Sequence, residues 1–229
     1  MHIVAIIVLF LVLVLGPQWW ARYIFRRYAD VLPRIPGTGG ELARHLLDRF
    51  GMSDVRVEKA ENSGDHYDPE HRAVRLSRDN YDSKSLTAVA VAAHEVGHAI
   101  QHQRNEPKLM LRHKLVKLAQ RIQQFGAGAM LLLPVAMAIT RAPTAGLVMA
   151  VIGLGSMASA TLVHLVTLPV ELDASFGKAL PILKSGNYIE PQDEIAISRV
   201  LRAAALTYVA SSLASLLNLA RWIAFLRRA

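Results

Sequence analysis

The sequence predicts a mainly α-helical, multi-pass membrane protein with a small polar head that contains a short β element. Three observations lead there. Hydrophobic residues make up 52% of the 229, and the charges are segregated between long apolar runs, with Arg221 interrupting the last of them, as in a chain that places whole segments in lipid. Four such runs, 3–20, 125–140, 147–168 and 203–226, approach or reach the length of a membrane helix. Between the first two lies a polar stretch whose apolar residues follow helical and strand periods in turn. The formal net charge is +8. Arginines flank apolar runs, and no nucleic-acid motif or aromatic-basic interleaving is present, so the bilayer and its phospholipid headgroups are the expected partner, not nucleic acid. Cysteine is absent, which excludes disulfides, thiolate metal sites and cysteine nucleophiles.

The first run lacks a basic leader and a small-x-small cleavage site, so it is expected to remain as an anchor. Trp19 and Trp20 end it like an interfacial belt, and Arg22, Arg26 and Arg27 place the polar stretch after them in the cytoplasm. Thr38 is the expected cap of an amphipathic helix over 41–50, with Leu42, Leu46, Leu47 and Phe50 on one side. Residues 55–58 alternate as a strand, Asn62-Ser63-Gly64 is a turn, 65–69 is a polar loop, and 73–77 is a second strand. That second strand offers an edge along which an extended peptide could pair.

Within 85–102 lies H-E-x-x-H: His94 and His98 are four apart, so one helical face presents two imidazoles to one metal ion. Glu95 follows the first imidazole, where a carboxylate can take a proton from metal-bound water. Buried histidines on an Ala/Val helix could instead be satisfied core residues, but ionisable groups there are costly without partners. The motif in this setting predicts zinc. Asp82 or Ser83 is the expected N-cap. The uncharged part of this helix is too short to cross a bilayer, which puts it at the membrane surface.

Residues 108–124 are basic and amphipathic and should lie along the membrane. The runs 125–140 and 147–168 are joined by a short Arg-Ala-Pro-Thr-Ala-Gly turn, which implies a transmembrane hairpin, and further membrane helices complete the fold. The organisation expected is an anchor (1–21), a catalytic head (22–124), the hairpin (125–169), a connecting segment (170–203) and a C-terminal membrane segment (204–229). Four alternating spans with the head inside would leave the basic C-terminus outside, against the positive-inside tendency.

A hydrolytic zinc site usually has three protein ligands and an open position. The extended H-E-x-x-H-x-x-G-x-x-H pattern is absent, because Gln101 and Arg104 hold the glycine and third-histidine positions. Glu171 is the best third ligand, since a down-and-back hairpin returns it to the level of the metal helix. Asp173 competes; with Glu171 as ligand it would orient His94 or His98. His164 suits packing, and His102 suits a supporting or surface role one turn along the helix.

At this point the chain resembles the membrane-anchored neutral zinc metallopeptidases of the YugP type, zinc-dependent peptidase family 2. The segments that carry the resemblance are Thr38-Gly-Gly-Glu-Leu-Ala-Arg44, Asp65-His-Tyr-Asp-Pro69, 91–101 with the metal motif, Leu168-Pro-Val-Glu-Leu-Asp-Ala-Ser175 and Ala204-Ala-Leu-Thr-Tyr-Val-Ala210. It implies a small zincin-like head and a peptidase with Glu171 as third ligand. More distantly the chain is similar to the HtpX and CAAX prenyl-protease type of membrane metalloproteases, which have a Glu-x-x-Ala-Asp segment after a membrane hairpin. Here Ser175 stands where that pattern has aspartate.

The function expected is zinc-dependent hydrolysis of peptide bonds in membrane or membrane-proximal proteins at the cell (inner) membrane, with the site facing the cytoplasm. Glu95 would act as general base, and His66, Tyr67 or Tyr208 would serve as oxyanion donor. A regulatory membrane partner or a homo-oligomer would restrain such a site. The competing expectation is a non-catalytic scaffold with structural zinc, which His66 or His102 would complete as fourth ligand.

Overall fold

A computed structural model describes residues 2–61, 64–140 and 144–226. The turn expected at Asn62-Ser63, the middle of the turn at 141–143 and the closing Arg227-Arg228 lie outside the described residues. Helix α1 (His2–Arg27) runs unbroken through Pro17. Helix α2 (Gly39–Arg49) starts on a full capping box: Glu41 N–H donates to Thr38 Oγ1 (3.3 Å) and Thr38 N–H to Glu41 Oε2 (2.8 Å). Two otherwise orphaned donors at the helix start are thereby satisfied.

Three short strands come next, β1 (Arg56–Lys59), β2 (His66–Asp68) and β3 (Ala73–Leu76), in the order β1-β3-β2. Strand β3 is central, parallel to β1 and antiparallel to β2. This differs from the sequence expectation twice. The polar loop at 65–69 contains a strand, and β3 is not a free edge, because β2 covers its second side. The pin is Asp68, whose carboxylate accepts from Glu70 N–H (2.9 Å), His71 N–H (3.0 Å) and Arg75 of β3.

After a single helical turn, α3 (Arg78–Tyr81), comes α4 (Leu86–Gln103), the axis of the head. Ser85 caps it, its Oγ accepting from Ala88 N–H at 3.1 Å; Asp82, one of the expected caps, instead pairs with Lys59 at 2.7 Å. The small side chains of α4 let neighbours close in on every side. Val89, Ala92, Val96 and Ile100 are buried with Leu46 and Leu47 of α2 and Val74 and Leu76 of β3.

Helices α5 (Pro107–Thr140) and α6 (Thr144–Leu172) pack along one another as a helical pair. α6 passes through Pro169 and runs into a π-helical segment, Asp173–Ala179, and then α7 (Leu180–Ser185). A 3₁₀ turn, Pro191–Asp193, leads into α8 (Glu194–Leu226), which packs against α1, α4 and α6.

The multi-pass expectation needs correction. The molecule is mostly helical with one small three-stranded sheet. Among the described residues one helical stretch, Val151–Ser185, is long and apolar enough to cross a membrane, and one such stretch does not make a multi-pass protein or a transmembrane hairpin. The helices that carry the first and last apolar runs also serve the head, through the turns that adjoin those runs. Ala21 and Ile24 of α1 and Ile197, Val200, Leu201 and Ala203 of α8 are buried in its core. Thr87 of α4 ties the end of α1 down by donating from its N–H to Tyr28 O (3.1 Å) and from Oγ1 to Phe25 O (2.9 Å). The first half of α5 carries the charges of 108–124.

A candidate metal centre on helix α4

Four ionisable side chains meet in the interior: His94, Glu95 and His98 of α4 and Glu171 near the end of α6, exposed by 9%, 6%, 7% and 1%. At that burial each needs a partner. Nε2 of His94 and of His98 lie 3.2 and 3.3 Å from the same oxygen, Glu171 Oε2. One donor atom from each of the three residues falls within 4.8 Å of the others, a group able to hold a metal ion.

The hydrogen bonds behind these atoms decide whether a cation fits. The Gln101 amide nitrogen donates to Val170 O (3.0 Å) and Asp173 Oδ2 (2.7 Å). Both partners only accept, so the orientation of the amide is fixed and its Oε1 faces His98 Nδ1 at 2.9 Å. Nδ1 therefore carries the proton. In the neutral ring Nε2 then turns a lone pair toward the Glu171 carboxylate, an arrangement a cation between them relieves. On the other side Ser175 Oγ meets His94 Nδ1 at 3.1 Å. Glu171 Oε1 is within ion-pair reach of Arg112 Nη1 (3.2 Å) but accepts no hydrogen bond among the described residues. Two imidazoles with Nδ1 engaged, facing one carboxylate, form a donor set suited to zinc.

Glu95 lines a cavity of about 200 Å³ together with His94, Asp65 and Tyr208. Burial pushes its pKa up to about 7, with Glu171 and Asp65 adding to the rise and His94 opposing it. The Tyr67 backbone lies close enough to Glu95 to oppose that rise slightly, so strand β2 runs beside the base.

Each residue singled out in the sequence has a definite place. His94, His98 and Glu171 come together, and Glu95 lies beside them. Asp173 does not touch either histidine. It bonds Gln101 and Lys178, and so reaches His98 through the amide. Tyr208 lines the cavity close enough to Glu171 to feel its charge. His66 Nδ1 faces Gly64 O (2.8 Å), and Tyr67 and His102 pair with each other (2.8 Å), so none of these three side chains joins the donor group. Sequence reasoning missed Gln101, Ser175, Arg112 and Lys178 as supports. Gln101 sits three residues after His98, a spacing at which helical side chains touch. Nothing local marks Arg112, whose contact with Glu171 is set by how α5 crosses the site.

A family described as "Putative neutral zinc metallopeptidase" matches residues 3–227. The chain belongs to that family. It is also 40% identical over 215 residues to the "Putative membrane protease YugP" of Bacillus subtilis (strain 168), covering 91% of each chain. No solved structure matches, and the more distant likeness to the HtpX and CAAX type finds no support in these comparisons. Membership makes zinc the cofactor, and the His94–His98–Glu171 group fits it. The relative's name and the apolar stretch of α6 associate the chain with membranes.

Proposed function

We propose that the protein is a zinc metallopeptidase that cleaves peptide bonds in membrane or membrane-proximal proteins. The convergence of His94, His98 and Glu171 on one point, with Glu95 beside it, carries the reading. When bound, zinc supplies a Lewis acid that polarises a carbonyl and acidifies water. The remaining steps belong to side chains of this chain. His94 and His98 hold Nε2 toward the ion because Ser175 and Gln101 hold Nδ1. Glu171 completes the cradle, and Arg112 limits where its second oxygen can turn. Glu95 takes a proton from water on its carboxylate and returns it to the leaving amine nitrogen, so that the new carboxyl and amine termini balance the water consumed. Strand β2 is an outer strand of the sheet and runs beside Glu95, which supports an extended substrate strand pairing alongside it.

The scaffold alternative with structural zinc needs a fourth protein ligand, and among the described residues neither His66 nor His102 supplies one. The deciding experiment compares wild type with Glu95→Gln in detergent, measuring zinc content and cleavage of a mixed peptide library. The variant should retain its zinc and lose at least about a hundredfold in turnover, the usual contribution of a positioned acid-base group. Equal cleavage by both proteins, or none by wild type loaded with zinc, overturns the proposal.

A further inference from the structure

The cavity beside Glu95 is walled by three helices: Phe25 near the end of α1, Val91 of α4, and Val200, Leu201 and Ala204 of α8. None of these side chains has a polar atom. Of the polar groups that share the lining away from the metal ligands, Asp65 and Thr207 are already engaged, and Tyr208 lies close enough to Glu171 to feel its charge. Asp65 accepts from Ser77 N–H (2.7 Å) and Ser77 Oγ–H (3.0 Å) on one oxygen and from Asn80 Nδ2 (2.8 Å) on the other. Thr207 donates its hydroxyl to Ala204 O at 2.7 Å. The volume of about 200 Å³ exceeds the roughly 150 Å³ at which an apolar protein cavity takes up benzene. It stays below the ~300 Å³ at which pockets for whole small ligands begin. The space suits a single side chain.

We propose that this cavity is a specificity pocket, which receives an apolar side chain of leucine or phenylalanine size from a residue flanking the scissile bond. The inference rests on the hydrolase reading above for what the neighbouring groups do, and on the cavity wall for what enters. An acidic side chain would arrive between Asp65 and Glu95, two carboxyl groups. A lysine or arginine would give up its hydration, find both oxygens of Asp65 already bonded and be left with the carboxyl of Glu95, which the hydrolase reading engages with water. Glycine or serine would leave the five apolar walls without contact partners. A leucine or phenylalanine side chain meets all of them and leaves its own backbone beside His94 and Glu95, which share the lining.

The test uses the zinc-loaded full chain in detergent with blocked decapeptides that differ at one central position X, set to Gly, Ser, Leu, Phe, Asp or Lys. Binding is measured by calorimetry on Glu95→Gln, and cleavage positions on wild type by mass spectrometry. The Leu and Phe peptides should bind about tenfold tighter or better than the Gly, Asp and Lys peptides, the discrimination an apolar pocket affords, and should be cut next to X. Ala204→Phe, which fills the cavity, should abolish that preference with zinc content unchanged. Phe25→Ala, which enlarges it, should shift the preference toward a Trp peptide and carries the test if the first variant does not fold. Equal binding for every X, a preference for Lys or Asp, or an unchanged ranking in the folded variants overturns the pocket. Discrimination among peptides that moves with the variants, without cleavage by wild type, upholds the pocket and removes the hydrolase reading.

Discussion

Gln101 does for His98 what a carboxylate does at many zinc sites: it fixes the ring and its tautomer through Nδ1. Its own amide is held by Val170 O and Asp173, and Asp173 is held by Lys178, which also pairs with Glu106 at 2.9 Å. The chain of contacts therefore runs from the start of α5 through the π-helical segment to the metal face of α4. Replacing Gln101 by Met keeps the volume and removes both the acceptor and the donor. Zinc affinity should fall about tenfold to a hundredfold, the usual effect of losing a partner behind a ligand, while the circular dichroism spectrum stays that of wild type. Competition against a chromophoric chelator measures it, and an unchanged zinc dissociation constant rules out this role for Gln101. In the sequence Gln101 stood out only as the residue that spoils the longer histidine motif. The carboxylates and imidazoles were legible because H-E-x-x-H fixes their spacing on a helix. Their supports were not, because Ser175 and Arg112 owe their roles to contacts spanning 81 residues in one case and 59 in the other.

At the scale of elements, the third ligand depends on how closely the π-helical segment approaches α4. A Cβ at Gly97 would lie 2.9 Å from Ala174 O and 3.4 Å from its Cα, so only glycine allows the contact without a shift of backbone. Gly97→Ala should push the Asp173–Ala179 segment outward and destabilise the head by about 1–3 kcal/mol, the range of an overpacked core site. Zinc affinity should fall with it, since Glu171 precedes that segment. Thermal melts with and without zinc measure both effects; a variant with wild-type values in both would mean that the segment gives way freely. The sheet offers a second element-scale prediction. Burial raises the pKa of Asp68, but hydrogen bonds from the His71 backbone and ring and from Arg75 outweigh it and hold the carboxyl well below the usual carboxylate range. A folded pKa depressed below the unfolded value of about 3.9 stabilises the ionised fold. That contribution is whole above the unfolded pKa and is lost as the pH falls toward the folded one. Asp68→Asn should therefore lower stability by about 1–3 kcal/mol at pH 7, by the cost of losing charge-assisted hydrogen bonds, and the gap to wild type should narrow below about pH 4. Melts at pH 7, 5 and 3 would show it, and a gap independent of pH would assign the effect to shape alone. The cap of α2 could be read from Thr38, whereas β2 could not: three residues are too few for alternation to register, and the strand exists only because β3 and Asp68 hold it.

For the whole molecule, hydropathy proved a poorer guide than chemistry. Apolar runs at 3–20 and 203–226 suggested spans, yet the adjoining turns of the same helices, with Ile24 of α1 and Ile197 and Leu201 of α8, close the core of the head. Hydropathy averages over a helix and cannot tell a face turned to lipid from one turned to a neighbouring helix. The metal site depends on that closure, since its two halves are 73 residues apart between His98 and Glu171 and are joined through the α5–α6 pair. An ion bound at that junction binds the folded chain and not the unfolded one, so its affinity adds directly to stability. Zinc at a thousandfold excess over its dissociation constant should contribute about 4 kcal/mol. Stripping it with a chelator should then lower the melting temperature by several degrees, and zinc should restore it. Glu171→Gln should melt at the same temperature with or without zinc, because it lacks the charge that joins the two halves. Glu95→Gln should respond to zinc as wild type does, since it leaves the donor group complete. If zinc stabilises Glu171→Gln as strongly as wild type, the ion is held elsewhere, and the junction between α4 and α6 is not the metal centre.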